Sequence, residues 1–344
     1  MNDRLLSMDT LPHRFSVAPM LDWTDRHARF FHRLLSRHTR LYTEMVTTGA
    51  LLHGDVVRHL QFNAEEHPIA LQLGGSEPTA LAHAVKLAQR YGYDEVNLNC
   101  GCPSERVQRG AFGACLMAEP ELVAECVRAM RDAGEMPITV KHRIGIDDIE
   151  SYDFVRDFVG TIRDAGCRTF IVHARNAILK GLSPKENREV PPLKYAFAYR
   201  LKQDFPDLEI VINGGIKTIG EVQQHLENVD GVMVGREAYQ NPVLLTGVDA
   251  ILFPDLPGAT PASDAELVAA YRTYAVARLA EGAPLSALTR PLLGWRRGSA
   301  GSRHWRRILS DSNRLRVNDL GVFADALAAL DAERSYASED SPVD

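Results

Sequence analysis

Between Phe15 and Gly235, short β-branched or apolar runs alternate eight times with longer stretches of helical period. The runs are Phe15–Pro19, Leu41–Met45, Ile69–Leu73, Glu95–Asn99, Ile138–Lys141, Thr169–His173, Glu209–Asn213 and Gly231–Gly235. Helical period is clearest over Phe30–Leu35, Thr79–Tyr91, Pro120–Ala133, Tyr152–Ala165 and Ile219–Leu226, with a short helix near Asn241–Phe253. Eight strands alternating with helices over about 250 residues is the pattern of a (β/α)8 TIM barrel. The alternative is a doubly wound open sheet. It usually has fewer strands and often carries a Gly-x-Gly-x-x-Gly turn, and no such turn follows any run here. The expected class is therefore α/β, a (β/α)8 TIM barrel followed by an all-helical C-terminal domain.

The second domain is read from a change of composition. Pro254–Gly258 has the character of a linker. Helical pattern resumes over Asp264–Glu281, Leu285–Gly294, His304–Leu309 and Asn318–Leu330. The expected boundaries are 12–253 for the barrel, 262–334 for the helical domain, and 335–344 for a polar, acidic tail without fixed structure. Charge is unevenly spread across this division. The net charge is −6, yet Arg290–Arg316 holds eight arginines against the single acid Asp311, which leaves −13 on the rest. An acidic body with one basic segment suggests a local polyanion contact. A solvated helical face accounts for such a cluster equally simply. Trp295 and Trp305 lie among these arginines, a mixture suited to phosphate contact with stacking or, alternatively, to core aromatics beneath a wet face.

Other classes are disfavoured. No apolar run reaches the roughly 20 residues of a membrane span, and the N-terminal stretch lacks the apolar centre of a signal peptide. Five cysteines in 344 residues argue against a disulfide framework. A cytoplasmic protein, not membrane-bound, is expected, and a monomer. Cys100 and Cys102 are too close together for a usual zinc pair, and no metal is expected.

In a barrel the last residues of the strands face the active site. Here they are chemically unusual. Pro19 and Met20 follow the first strand, Gln72 lies near the end of the third, and Asn97 and Asn99 lie in the fourth. Lys141 and His173 end the fifth and sixth, Asn213-Gly214-Gly215 ends the seventh, and Gly235-Arg236 ends the eighth. Gly-rich ends of the last two strands are the common phosphate site of barrels, with Arg236 as a bidentate partner. Lys141 places a cation where a flavin gathers negative charge on reduction, which favours FMN over a sugar phosphate. The fourth strand runs into Cys100-Gly101-Cys102-Pro103, a turn that delivers a thiol to the rim. Standing alone, that thiol is as readily a small buried hydrophobe.

The run Val96-Asn-Leu-Asn-Cys-Gly-Cys-Pro103, with Val107 and Gly113, resembles the signature of the tRNA-dihydrouridine synthase family. So do Ala-Pro-Met at residues 18–20, Ala-Leu-Gln-Leu at 70–73, Val-Lys-His-Arg at 140–143, His-Ala-Arg at 173–175, Ile-Asn-Gly-Gly at 212–215 and Val-Gly-Arg-Glu at 234–237. The resemblance runs from about Phe15 to about Leu330. Leu182–Arg188 and Ile144–Asp148 resemble the branch that acts on D-loop uridines 20 and 20a. The resemblance implies an FMN-binding barrel, NADPH as reductant and a helical domain that holds tRNA. It implies FMN contacts at Pro19, Met20, Gln72, Lys141 and His173, with the phosphate at Asn213, Gly214, Gly215, Gly235 and Arg236. It implies a catalytic Cys102, and tRNA contacts at Asn99, Lys185, Arg188, Arg303 and Arg306. Cys100 and His142 depart from the family's usual residues at positions that should not touch the chemistry.

Uracil itself dictates the chemistry. Its C5=C6 bond is conjugated with the C4 carbonyl, so hydride addition at C6 leaves negative charge at C5 that needs a proton. A cysteine thiol, mostly protonated at neutral pH, can act as that acid. Asn99 is placed to hold the base edge. Two long loops, Pro103–Gly113 and Asn176–Pro192, follow Cys102 and His173 on the same face, where loops gate or bind substrate. The alternative is a flavin barrel that reduces a free pyrimidine or other small enone; the basic helical segment counts against it.

Overall fold

The structure is a computed structural model, and it describes residues 12–256 and 263–339. Its sheet is parallel throughout. The strands are β1 (Phe15–Val17), β2 (Leu41–Tyr42), β3 (Val46–Thr47), β4 (Ile69–Gly74), β5 (Glu95–Cys100), β6 (Ile138–His142), β7 (Thr169–His173), β8 (Glu209–Asn213) and β9 (Gly231–Val234). They pair in the order β1-β9-β8-β7-β6-β5-β4-β2, with β3 on the far end of β4. The ring closes just before β2. Ser16 bridges Arg40 in parallel, Val17 N–H donates to the Arg40 carbonyl at 3.0 Å, and Arg40 N–H donates to the Phe15 carbonyl at 3.1 Å. This is the expected (β/α)8 barrel.

The second run of the sequence is not one strand. It splits into β2, paired with Ile69 and Ala70, and β3, paired with Leu73 and Gly74. Thr43 sits at the break, where its hydroxyl donates to the Glu44 carbonyl at 2.8 Å and accepts the Gln72 N–H at 3.1 Å. Helices at Thr48–His53, Val56–Leu60, Glu105–Arg109 and Tyr195–Asp204 also lie outside the periodic stretches. Tyr195–Asp204 buries only Ala198 and Leu201, so it carries almost no apolar stripe to recognise.

Strand parity determines what fills the bore. Alternate residues point inward, and Ala18, Tyr42, Ala70, Ile171, Val211 and Met233 form one packed cluster there, with Met20 against it. Both faces of each strand are covered, which is why even the polar members of β5 are buried.

Two compact units divide the described residues. One takes in the chain as far as Thr24 together with Thr39–Gly235; the other takes in Asp25–His38 and the chain from Arg236 onward. The helix Arg26–Leu35, which follows the first strand, thus belongs with the C-terminal helices. Phe30 stacks on Tyr274 with ring centroids 3.9 Å apart, and Phe31 meets Tyr271 and Trp295 edge-on. Asp249 holds the turn after this helix, accepting from Ser36 Oγ at 2.5 Å and from the Arg37 and His38 amides. In the same unit the helix Asp264–Ala280 starts at a capping box of Ser263 and Glu266. Trp295 and Trp305 are buried, and Trp305 Nε1 donates to the Leu292 carbonyl at 2.7 Å. The last helix, Gly321–Glu339, continues into the stretch expected to be a tail. Residues 340–344, and 257–262 of the expected linker, lie outside the described residues.

Candidate active site

The parity that fills the bore also sorts the strand ends. In register, Asn99 lies beside Lys141 and His173 beside Asn213. Gln72, Asn99, Lys141, His173 and Asn213 therefore share the inward face at the carboxyl end of the barrel, one layer above the apolar cluster. Cys100 and His142, one residue out of phase, are buried on the other side; His142 packs against Phe158 and Phe170.

These side chains are joined. Lys141 Nζ donates to Asn213 Oδ1 at 3.1 Å, and Asn213 Nδ2 donates to the Met233 carbonyl at 2.7 Å. Gln72 Nε2 donates to Asn97 Oδ1 at 2.8 Å, and Asn99 Nδ2 donates to Gln72 Oε1 at 2.9 Å. Asn99 Oδ1 then accepts the amides of Gly101 and Cys102, each at 3.0 Å. Cys102 is held from its other side as well, because Ala114 N–H donates to its carbonyl at 2.9 Å. Gly113 must be glycine for this turn. Its φ is +76°, and a Cβ there would stand 2.6 Å from the Cys102 carbonyl oxygen. The half-buried Cys102 thiol lies 3.5 Å from Ser104 Oγ.

Burial sets the charges. It pushes the Lys141 ammonium down to about 7, with the Arg143 guanidinium adding repulsion. Burial holds His173 well below its usual range, and Arg143 and Lys141 lower it further, so its imidazole is neutral. No carboxylate among the described residues pairs with Lys141. The mouth thus offers a lysine poised to gain a proton, a neutral imidazole, three carboxamides and a thiol.

Arg143 belongs to this site although its position alone does not reveal it. It is 3% exposed. Its Nε donates to the Gly101 carbonyl at 3.1 Å, and its Nη1 donates to the carbonyls of Asn176 and Asn187 at 3.3 and 3.0 Å. One guanidinium therefore ties the cysteine turn to the loop after β7. That loop is built around buried Asn187, whose amide accepts from Ile178 N–H at 2.7 Å and donates to the Ile178 carbonyl at 2.9 Å. The signal in the sequence was a second cation two residues after Lys141.

The remaining predicted residues divide by unit. Met20 N–H donates to Thr24 Oγ1 at 3.0 Å, and a Cβ on Gly235 would lie 3.9 Å from Met20 Sδ. Pro19 precedes that turn. Gly214 and Gly215 have φ of +121° and +77°, and a Cβ on Gly214 would press on His173. Lys185 and Arg188 are exposed on the loop after β7, and Arg188 is near enough to lower Arg143 and His173 by repulsion. Arg236, Arg303 and Arg306 belong to the other unit. Arg236 opens the helix Arg236–Gln240, while Arg303 and Arg306 are exposed on Ser302–Leu309.

The family described as Dihydrouridine synthase (Dus) matches residues 16–331. The chain belongs to the dihydrouridine synthase family. Its relatives include the tRNA-dihydrouridine(20/20a) synthase of Pseudomonas putida, 60% identical over 317 residues that cover 92% of this chain and 94% of the relative. That of Pseudomonas aeruginosa is 59% identical, covering 93% and 96%. That of Escherichia coli K12 is 56% identical, covering 93% and 92%. Among solved structures, 2-naphthoyl-CoA reductase in complex with 2-naphthoyl-CoA superposes with a TM-score of 0.52 at 11% identity. That likeness takes in 68% of this chain and 49% of the reductase, and speaks for the barrel fold alone. Among the described residues of this family member, no cluster of His, Cys, Asp and Glu could hold a metal, and no helix is long and apolar enough to cross a membrane.

Proposed function

We propose that the chain reduces uridine to 5,6-dihydrouridine in the D-loop of tRNA, at positions 20 and 20a, with FMN in the barrel mouth and NADPH as reductant. The observation that carries this reading is one thiol, Cys102, held by both its amide and its carbonyl at the rim of a mouth that also holds a half-buried lysine, in a chain 55–60% identical to tRNA-dihydrouridine(20/20a) synthases.

The residues fit a flavin. Lys141 is a half-buried amine with an amide oxygen for a partner, poised to take up a proton as a neighbouring group becomes anionic. Gln72 and Asn213 are amides fixed in orientation, and His173 is a neutral imidazole. Asn213, Gly214, Gly215, Gly235 and Arg236 would hold the phosphate, with Pro19 and Met20 as further contacts. FMN held there would supply hydride chemistry at C6 of the uracil, with NADPH as its reductant. Cys102 then gives its thiol proton to C5, so the C5=C6 bond gains one hydride and one proton. The base must leave its stack to reach a barrel mouth. Lys185 and Arg188 on the rim, and Arg303 and Arg306 in the helical unit, are the tRNA contacts in this reading.

The test is the protein with FMN, NADPH and unmodified tRNA transcripts, read by nucleoside mass spectrometry. The expected product is uridine two hydrogens heavier at positions 20 and 20a, with free uridine inert. Turnover of free uridine or another small enone, without tRNA reduction, would overturn it.

The helical unit yields a separate prediction. Arg290, Arg296 and Arg314 are committed to Asp25, Asp264 and Asp319, whereas Arg303 and Arg306 are exposed without a carboxylate partner among the described residues. Replacing both by alanine should weaken tRNA binding across sequences. It should also lower the slope of log affinity against log salt by roughly 1 for each phosphate that is no longer neutralised. An unchanged slope in a filter-binding titration would remove them from the interface.

A further inference from the structure

The polar side chains in the bore do not stop at the mouth. Glu95, at the closed end, accepts from Thr139 Oγ1 at 2.6 Å. Thr139 Oγ1 accepts from Asn97 Nδ2 at 2.8 Å. Asn97 Oδ1 accepts from Gln72, Gln72 from Asn99, and Asn99 from the amides of Gly101 and Cys102. All five side chains are buried, and every bond in the series runs in the same direction.

That direction is dictated by chemistry. Glu95 is a carboxylate, ion-paired to His13 at 2.6 Å and Arg40 at 3.1 Å, and it can only accept. Thr139 has one O–H, which must go to Glu95, so toward Asn97 it can only accept. Asn97 must then present its NH2 to Thr139 and its oxygen to Gln72. Gln72 must present its NH2 to Asn97 and its oxygen to Asn99. Asn99 is left with its oxygen facing the cysteine turn, where two backbone N–H groups need an acceptor. Each link has a single role, and chains of this kind strengthen one another.

We propose that Glu95, Thr139 and Asn97 are positioning residues for Cys102: through Gln72 they fix the amide of Asn99, and Asn99 fixes the turn that carries the thiol. Asn99 then serves chiefly as an anchor for that turn, with only one N–H left for a base. The inference rests on Cys102 being the acid, and it extends that reading to side chains that touch no substrate.

The test is Thr139→Val, which keeps the shape and removes both bonds. Hydrogen exchange, read on the peptide containing Gly101 and Cys102, should speed up about tenfold, the equivalent of roughly one buried hydrogen bond. Single-turnover reduction of tRNA should slow by about the same factor with tRNA affinity unchanged. Thr139→Ser should restore both, which a loss of packing alone would not. Asn97→Leu, of similar shape and without a donor, removes the same link and should show the same acceleration should the valine variant not fold. Wild-type exchange of that peptide in a folded Thr139→Val protein would overturn the inference. Full activity in Cys102→Ala would overturn the assignment of the acid and leave the exchange result standing.

Discussion

Replacing Cys102 by alanine is expected to slow uridine reduction about 10²- to 10⁴-fold, the usual worth of a positioned general acid. The loss should fall on the proton given to C5 and on nothing else. Three features of the turn argue for that. The thiol's only hydrogen bond among the described residues is to Ser104 Oγ, at 3.5 Å. The backbone of Cys102 is held by Asn99 and by Ala114, so losing Sγ leaves the turn in place. Lys141, Gln72 and His173 do not depend on the thiol for a hydrogen bond. The variant should therefore fold, take up flavin to the same extent as the wild type, and bind tRNA as the wild type does. Nucleoside mass spectrometry of tRNA incubated with each protein checks the rate. A rate within a few-fold of wild type would take the acid role from Cys102.

Much of this site was legible because a barrel turns sequence parity into geometry. Once Gln72, Asn99, Lys141, His173 and Asn213 are placed at strand ends, their shared inward face follows from the alternation of side chains. What parity does not carry is anything fixed across sequence distance. Arg143 could be seen as a charge after a strand, but not as the link between the Gly101 carbonyl and a loop more than forty residues further on. Asn97 reads as a polar residue in a half-buried strand, and only the closed bore makes it a link between Gln72 and Thr139. The helix Arg26–Leu35 has the period of a barrel helix, and nothing local says that Phe30 and Phe31 pack with Tyr271, Tyr274 and Trp295. The break between β2 and β3 is also tertiary, since Thr43 leaves the strand pattern to serve the Gln72 amide.

The closed end of the barrel gives the largest expected effect on stability. His13 lies between two carboxylates, with Nε2 2.6 Å from Glu95 and Nδ1 2.8 Å from Glu209. Glu95 also meets Arg40 and accepts from Tyr42 and Thr139. Burial alone would neutralise these groups, yet the carboxylates overcome it and raise His13 to about 9. His13, Arg40 and the hydrogen bonds lower Glu95 to about 2. Glu95→Ala strips a buried imidazolium and a buried guanidinium of their shared partner, and should cost about 3–5 kcal/mol. The pH dependence has a definite sign. A histidine raised in the folded state contributes fully below its unfolded value near 6.5, and loses that contribution as pH climbs toward 9. A carboxylate lowered in the folded state contributes fully above its unfolded value near 4.5, and loses that as pH falls toward 2. The cluster is therefore strongest between about pH 4.5 and 6.5. Urea midpoints followed by far-ultraviolet circular dichroism should fall from pH 6 to pH 9 in the wild type, and the fall should be shallower in Glu95→Ala. Equal slopes in the two proteins would mean that Glu95 does not hold the charge on His13 in the folded state.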